Sequence, residues 1–228
     1  MTIIAELQKT GDVKSTSMLI PISLIRLSVG CILLTTVLHI TGQAQTTNRS
    51  SNNSAAQKSP PKIIAERFAY PIGVTELITE AKDRKDDWYN AQDFGANNHL
   101  GEDWNKNSGG NTDCGEPVFA AANGMIVYAE DAGAGWGNVV IIEHNLPNGE
   151  RVQTLYGHLR KITKTSGKVK LREQIGEVGN ADGKYLCHLH FEVRNKNCPM
   201  WNKAGAGYST NNKGWLDPSD FIDARLKN

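Results

Sequence analysis

Three short motifs hold the residue types that can do chemistry: His99-Leu100-Gly101-Glu102-Asp103, Leu155-Tyr156-Gly157-His158-Leu159 and His188-Leu189-His190-Phe191-Glu192-Val193. Side chains alternate faces along a strand, so His188, His190 and Glu192 are expected on one side and Leu189, Phe191 and Val193 in a core. Two imidazoles on one polar face can meet a metal ion or a substrate, yet a lone His-x-His reads first as a solvent-facing pair. The first motif changes that balance. His99 and Asp103 add a nitrogen and an oxygen donor, both accepted by zinc at roughly 2.0–2.2 Å. With one imidazole of the pair they make three protein ligands, the number that leaves a fourth position open for water, whereas a structural site closes its tetrahedron, usually with cysteines. Zinc lowers the pKa of its bound water to about 7 and polarises an attacked carbonyl. The two histidines left over, His158 and one of the pair, suit proton transfer or oxyanion stabilisation, because imidazole titrates near neutrality.

Other candidates are weaker. His144 ends an apolar run and reads as structural, since five residues already fill the roles of an open zinc site. Gly133-Ala134-Gly135-Trp136-Gly137 is not a phosphate loop, because Val139-Val140-Ile141-Ile142, a strand pattern, follows it where a helix would be needed. Cys114, Cys187 and Cys198 lack the paired short spacings of a cysteine zinc site and imply one disulfide of undetermined pairing plus a free thiol. Trp88, Trp104, Trp136, Trp201 and Trp215 stay unassigned between core anchors and sugar-stacking platforms.

The elements that must position these residues read mostly as strands. Residues 124–130, 138–144, 151–158 and 186–194 are short β-branched or aromatic runs, separated by turns at Gly133 to Gly137 and at Pro147-Asn148-Gly149. Closely spaced short strands predict a mainly β, antiparallel body. A weak helical pattern spans Val74 to Trp88, and a final short helix is expected from Asp217, with Pro218 in its first turn.

Hydrophobic residues make up 39% and charged residues 21% of the chain, which suits a globular body. Of 25 Lys+Arg and 24 Asp+Glu, the first 44 residues hold three and two, leaving 22 of each. A basic field that would attract nucleic acid is therefore absent. Lys9, Lys14 and Arg26 precede the apolar run Leu27 to Ile40, and Thr41-Gly42-Gln43-Ala44 follows. That order predicts a signal peptide over residues 1–44, cleaved after Ala44, and hence a secreted or envelope-located protein. The alternative is an uncleaved membrane tether, for which the run is short against the ~20 residues of a span. Cys31 lies inside the run, with Ser28 three before it, which argues against lipidation. Residues 45–62 are polar and read as a disordered linker, leaving 63–228 as one domain; self-inhibition would have to come from residues 63 to 98.

The ordered set His99/Asp103, Tyr156-Gly157-His158-Leu159 and His188/His190 resembles the lysostaphin/LytM-type metallopeptidases, the duplicated-hybrid-motif endopeptidases. Glu116 to Ala121, Gly124 to Ala129, Gly135 to Asn138, Ile175 to Gly179, His190 to Arg194 and Asp217-Pro218 resemble the family too, so the likeness spans about residues 97 to 222. It implies a small antiparallel β body with a groove across the sheet. It implies one zinc held by His99, Asp103 and His190, catalytic assistance from His158 and His188, and a peptidoglycan stem or cross-bridge as substrate. Tyr185-Leu186-Cys187 stands where the family often has Thr-Gly-Pro, and residues 112–114 and 196–214 look like local elaborations. A binding or amidase-activating module of the same fold is the rival reading, and a carboxypeptidase or amidase the rival within enzymes.

Overall fold

The computed structural model describes residues 62–73 and 85–227. The expected signal segment, nearly all of the linker and most of the expected helix at 74–88 lie outside the described residues. Trp88, the last residue of that pattern, opens a strand instead.

Among the described residues eleven strands and one α-helix follow in chain order: β1 Trp88–Gln92, β2 Glu102–Lys106, β3 Pro117–Phe119, β4 Gly124–Asp131, β5 Asn138–Asn145, β6 Arg151–Leu159, β7 Lys161–Ile162, β8 Gly167–Val169, β9 Gln174–Glu177, β10 Leu189–Asn195, β11 Trp215–Leu216 and α1 Pro218–Asp223. The main sheet has the order β1-β2-β10-β6-β5-β4-β8, with β11 beside β10, and a second sheet has the order β3-β9-β7. Every pairing is antiparallel, as the strand pattern predicts. The turn at 133–137 is a hairpin loop, closed by Ala132 N donating to Gly137 O and Trp136 N to Gly133 O. Helix α1 begins where Asp217 caps it, its carboxylate accepting from Asp220 N at 3.0 Å.

The main sheet has two faces with different fates. Tyr156 of β6, Val140 and Ile142 of β5, and Leu189, Phe191 and Val193 of β10 enter one large core with Val118 and Ile175 of the small sheet. A strap formed by residues 62–73 seals the same core. Ala65, Phe68, Tyr70 and Ile72 are buried there, Phe68 meets Phe221 edge-on at 5.0 Å, and the Tyr70 hydroxyl donates to Asp223 at 2.6 Å. On the opposite face Val139, Ile141 and Leu155 form a small cluster with Trp136, and that face carries the motif residues.

Candidate metal centre

The four motif histidines and Asp103 reach this second face from three adjacent strands and the segments that lead into them. In the register of β10 with its neighbours, His190 lies opposite Asp103 of β2 on one side and Gly157 of β6 on the other. His99 precedes β2, on an arm entered through a short 3₁₀ turn at Ala96–Asn98. His188 precedes β10, so residues 186–188 do not extend that strand as the sequence pattern suggests; His188 instead makes an isolated bridge to Gly179.

His158 needs a further device. Tyr156 and Leu159 are both core residues, three apart, so strict alternation would send His158 into the core as well. A register irregularity between β5 and β6 and a left-handed backbone at His158, φ 62°, turn its ring to the other face. There it lies 4.7 Å from the His188 ring and 5.5 Å from the His190 ring, centroid to centroid.

Three donor atoms converge. His99 Nε2 is 3.0 Å from His190 Nδ1, His190 Nδ1 is 3.0 Å from Asp103 Oδ1, and His99 Nε2 is 3.4 Å from Asp103 Oδ1. A tetrahedral ion with bonds of about 2.0–2.1 Å sets its donors about 3.3 Å apart, so this triangle fits such an ion. With both rings unprotonated on these atoms, two imidazole nitrogens and a carboxylate oxygen can aim lone pairs at one point. The three residues form a group able to hold a metal ion. The other His190 nitrogen, Nε2, meets Glu192 Oε1 at 3.0 Å, which fixes the ring with Nδ1 toward the triangle.

The electrostatics follow the geometry. Burial opposes the Asp103 charge, but hydrogen bonds from His190 and His99 hold its carboxyl well below the usual carboxylate range. Burial likewise opposes a charged His190, yet hydrogen bonds and charge from Asp103 and Glu192 outweigh it and raise the imidazole to about 9. His158 goes the other way: burial, then the neighbouring His190 and His188, push it down to about 3. His158 Nδ1 faces the Trp136 carbonyl at 3.2 Å and His188 Nδ1 the Leu186 carbonyl at 2.8 Å. A carbonyl can only accept, so each neutral ring carries its proton on Nδ1 and offers a bare Nε2. His188 Nε2 lies 3.7 Å from Asp103 Oδ1.

A groove of about 410 Å³ opens over the set, with Gln92, Trp136, Tyr185 and Tyr208 along its walls. A larger cavity of about 620 Å³, bordered by Arg151, Lys196, Phe221 and Arg225, contains none of the motif residues. Of the described residues in 63–98, Gln92 alone lines the groove, while the strap 62–73 packs into the core. His144 is fully buried in that core, between the Asn123 carbonyl at 2.9 Å and the Thr154 hydroxyl at 2.8 Å, as its structural reading requires. Among the described residues the cysteines resolve into a Cys114–Cys187 disulfide and a free, buried Cys198.

Two contributors carry no chemical signature in sequence. Glu192 shares the face of the histidine pair but has no separate motif. At Gly101 any Cβ would sit 2.8 Å from Glu192 Cγ and 3.1 Å from His190 Nε2, so only glycine lets the His99–Asp103 arm lie against β10.

Residues 98–202 match the model of Peptidase family M23. Lipoprotein NlpD of Yersinia enterocolitica is 37% identical over 83 residues, which are 36% of this chain and 80% of that one. The chain belongs to peptidase family M23. A second relative, the DD-carboxypeptidase/endopeptidase Mpg of Neisseria meningitidis serogroup B (strain ATCC 13091 / M2091), is 41% identical over 86 residues, covering 38% of this chain and 19% of the relative. The NlpD/LppB homolog of Pseudomonas aeruginosa is 39% identical over 87 residues, covering 38% of this chain and 28% of the relative. The M23 match thus spans less than a third of the length of these two longer relatives. The structure is similar to the catalytic domain of the antimicrobial peptidase lysostaphin from Staphylococcus simulans, with a TM-score of 0.40 and 24% identity over 69% of this chain and 92% of that one.

Proposed function

We propose that this protein is a zinc-dependent endopeptidase that hydrolyses peptide bonds in peptidoglycan stems or cross-bridges. The donor triangle of His99, Asp103 and His190 carries the reading, because three protein donors with 3.0–3.4 Å edges beside an open groove are the ligand count of a hydrolytic site. A bound zinc would supply Lewis acidity toward the attacked carbonyl and an acidified water. His188 takes the proton: its Nε2 is bare, it is the more exposed of the two assisting imidazoles, and it stands 3.7 Å from Asp103 Oδ1 at the edge of the donor triangle. His158, held neutral by burial, offers its Nε2 lone pair across the groove and orients the reacting groups. Glu192 keeps the His190 ring in its binding orientation. Trp136, Tyr185 and Tyr208 give the groove walls that an extended peptide can lie along.

The substrate class rests on the family and on relatives named for a DD-carboxypeptidase/endopeptidase and for lipoproteins. Those names also support a cell-envelope location, reached through the N-terminal segment, which acts as a leader or tether. Incubating purified peptidoglycan with the protein, with and without a zinc chelator, and sizing the fragments by mass spectrometry tests the proposal. Chelator-sensitive cleavage within the peptides is expected and identifies the bond. Release of terminal alanine would reassign the enzyme as a carboxypeptidase, and release of whole stems as an amidase. Zinc-loaded protein without any cleavage would favour a binding or activating module.

A further inference from the structure

Residues 196–214 connect β10 to β11 and supply one wall of the groove through Ala206, Gly207 and Tyr208. The family match ends at residue 202, so the groove-facing part of this wall lies beyond it. The wall is tied down on several sides. Leu100 N donates to Gly207 O at 2.9 Å and Ser209 N to Asn98 O at 2.8 Å, joining it to the His99 arm, and the Tyr208 ring stacks on His99 at 4.8 Å. Trp136 Nε1 donates to Gly205 O at 2.9 Å. Asn202 N donates to Gln153 Oε1 at 3.0 Å.

The remaining tie runs through Arg194, which is fully buried. Its Nη1 donates to Met200 O at 3.0 Å and to Lys203 O at 2.5 Å, while its Nε donates to Glu192 Oε2 at 2.5 Å. Glu192 turns its other oxygen to His190 Nε2 at 3.0 Å. One guanidinium therefore grips the wall on one side and, through one carboxylate, a metal-ligand imidazole on the other. If Arg194 served only to neutralise Glu192, no carbonyl contacts to 200 and 203 would be required, and a lysine would do as well. Buried ion pairs are weak contributors to stability for their cost, which points to a geometric role.

We propose that Arg194 is a positioning residue whose planar fork fixes the groove wall and the His190 ring to one shared anchor. The inference deepens the zinc-peptidase reading and rests on it. Arg194→Lys in the full chain is the test, since lysine keeps the charge beside Glu192 but lacks the fork. Three changes are expected: amide exchange at Leu100 and Ser209 about tenfold faster, zinc about tenfold more weakly held in competition with a chelator, and KM for peptidoglycan fragments about tenfold higher with kcat changed much less. Wild-type exchange and zinc affinity in this variant would overturn the proposal. Should Arg194→Lys fail to fold, the neutral pair Glu192→Gln/Arg194→Met removes both charges together. The same faster exchange is expected there, and wild-type exchange would overturn the proposal equally. If the wild-type protein cleaves nothing, the peptidase reading fails alone, because amide exchange and zinc competition still decide the role of Arg194.

Discussion

Glycine at position 158 should be more stable than alanine at position 158, the reverse of the usual order within strands. His158 sits at φ 62°, where the Cβ of any L-residue crowds the following carbonyl at a cost of roughly 1–2 kcal/mol, which glycine escapes. Against this, glycine loses roughly 0.5–1 kcal/mol relative to alanine through the greater freedom of its unfolded chain. The balance leaves His158→Gly roughly 0–1.5 kcal/mol more stable than His158→Ala, with a central value of about 0.75 kcal/mol. Both variants lose the imidazole, its contact with the Trp136 carbonyl and its ring contacts, so these common losses cancel in the comparison. Urea denaturation of the two variants in the presence of a zinc chelator, fitted with a shared m-value, measures the difference. Both should also lose peptidoglycan cleavage. An alanine variant as stable as the glycine variant, or more so, would refute the left-handed turn. The account of how His158 leaves the core side of β6 and enters the groove would go with it.

His190→Ala is expected to abolish both stoichiometric zinc, measured by metal analysis, and cleavage; retention of full zinc content and full activity would sink the ligand assignment. Burial pushes His144 from 6.5 down to about 4, so between those values the unfolded chain binds a proton that the folded chain refuses. Stability should therefore fall as pH drops from 6.5 to 4, by about 3 kcal/mol from this residue, and denaturation at several pH values should find a shallower slope in His144→Gln. Equal slopes would show that His144 does not resist protonation. Phe68→Ala empties a fully buried position against Phe221 and His144 and should cost about 3–5 kcal/mol, seen as a large drop in denaturation midpoint. A small effect would mean that the strap is not part of the cooperative core.

The long strands β4, β5, β6 and β10 and the hairpin turn at 133–137 were legible because their apolar residues alternate or cluster between glycines. So was the gathering of the five candidate residues around one groove, because histidine and aspartate have few other reasons to recur at such spacings. Strand β2 was not legible: its core-side residues are Glu102 and Trp104, and Glu102 lies buried on Ser219 and the Trp104 indole, so no apolar pattern marks it. Strand alternation explained His190 and Glu192 but not His158, whose face is set by a backbone angle and a bulge that no side-chain pattern records. The stretch 63–73 falls within the expected domain but carries no element signature of its own, since its buried residues pack across the molecule instead of along one element. The Cys114–Cys187 pairing depends on contacts between loops distant in sequence, which spacing cannot supply.

Asp103 and His190 touch across neighbouring strands yet stand 87 positions apart in the chain. No short fragment can hold the donor triangle, because β2 meets β10 along its site-facing edge and β10 in turn pairs with β6. The site is thus a late product of folding, assembled from contacts of long sequence separation that form slowly. An ion captured there binds the finished domain and not the unfolded chain, so its binding free energy adds to the stability of the whole body. Metal uptake during refolding should then keep time with the burial of Tyr156 and Phe191 rather than precede it.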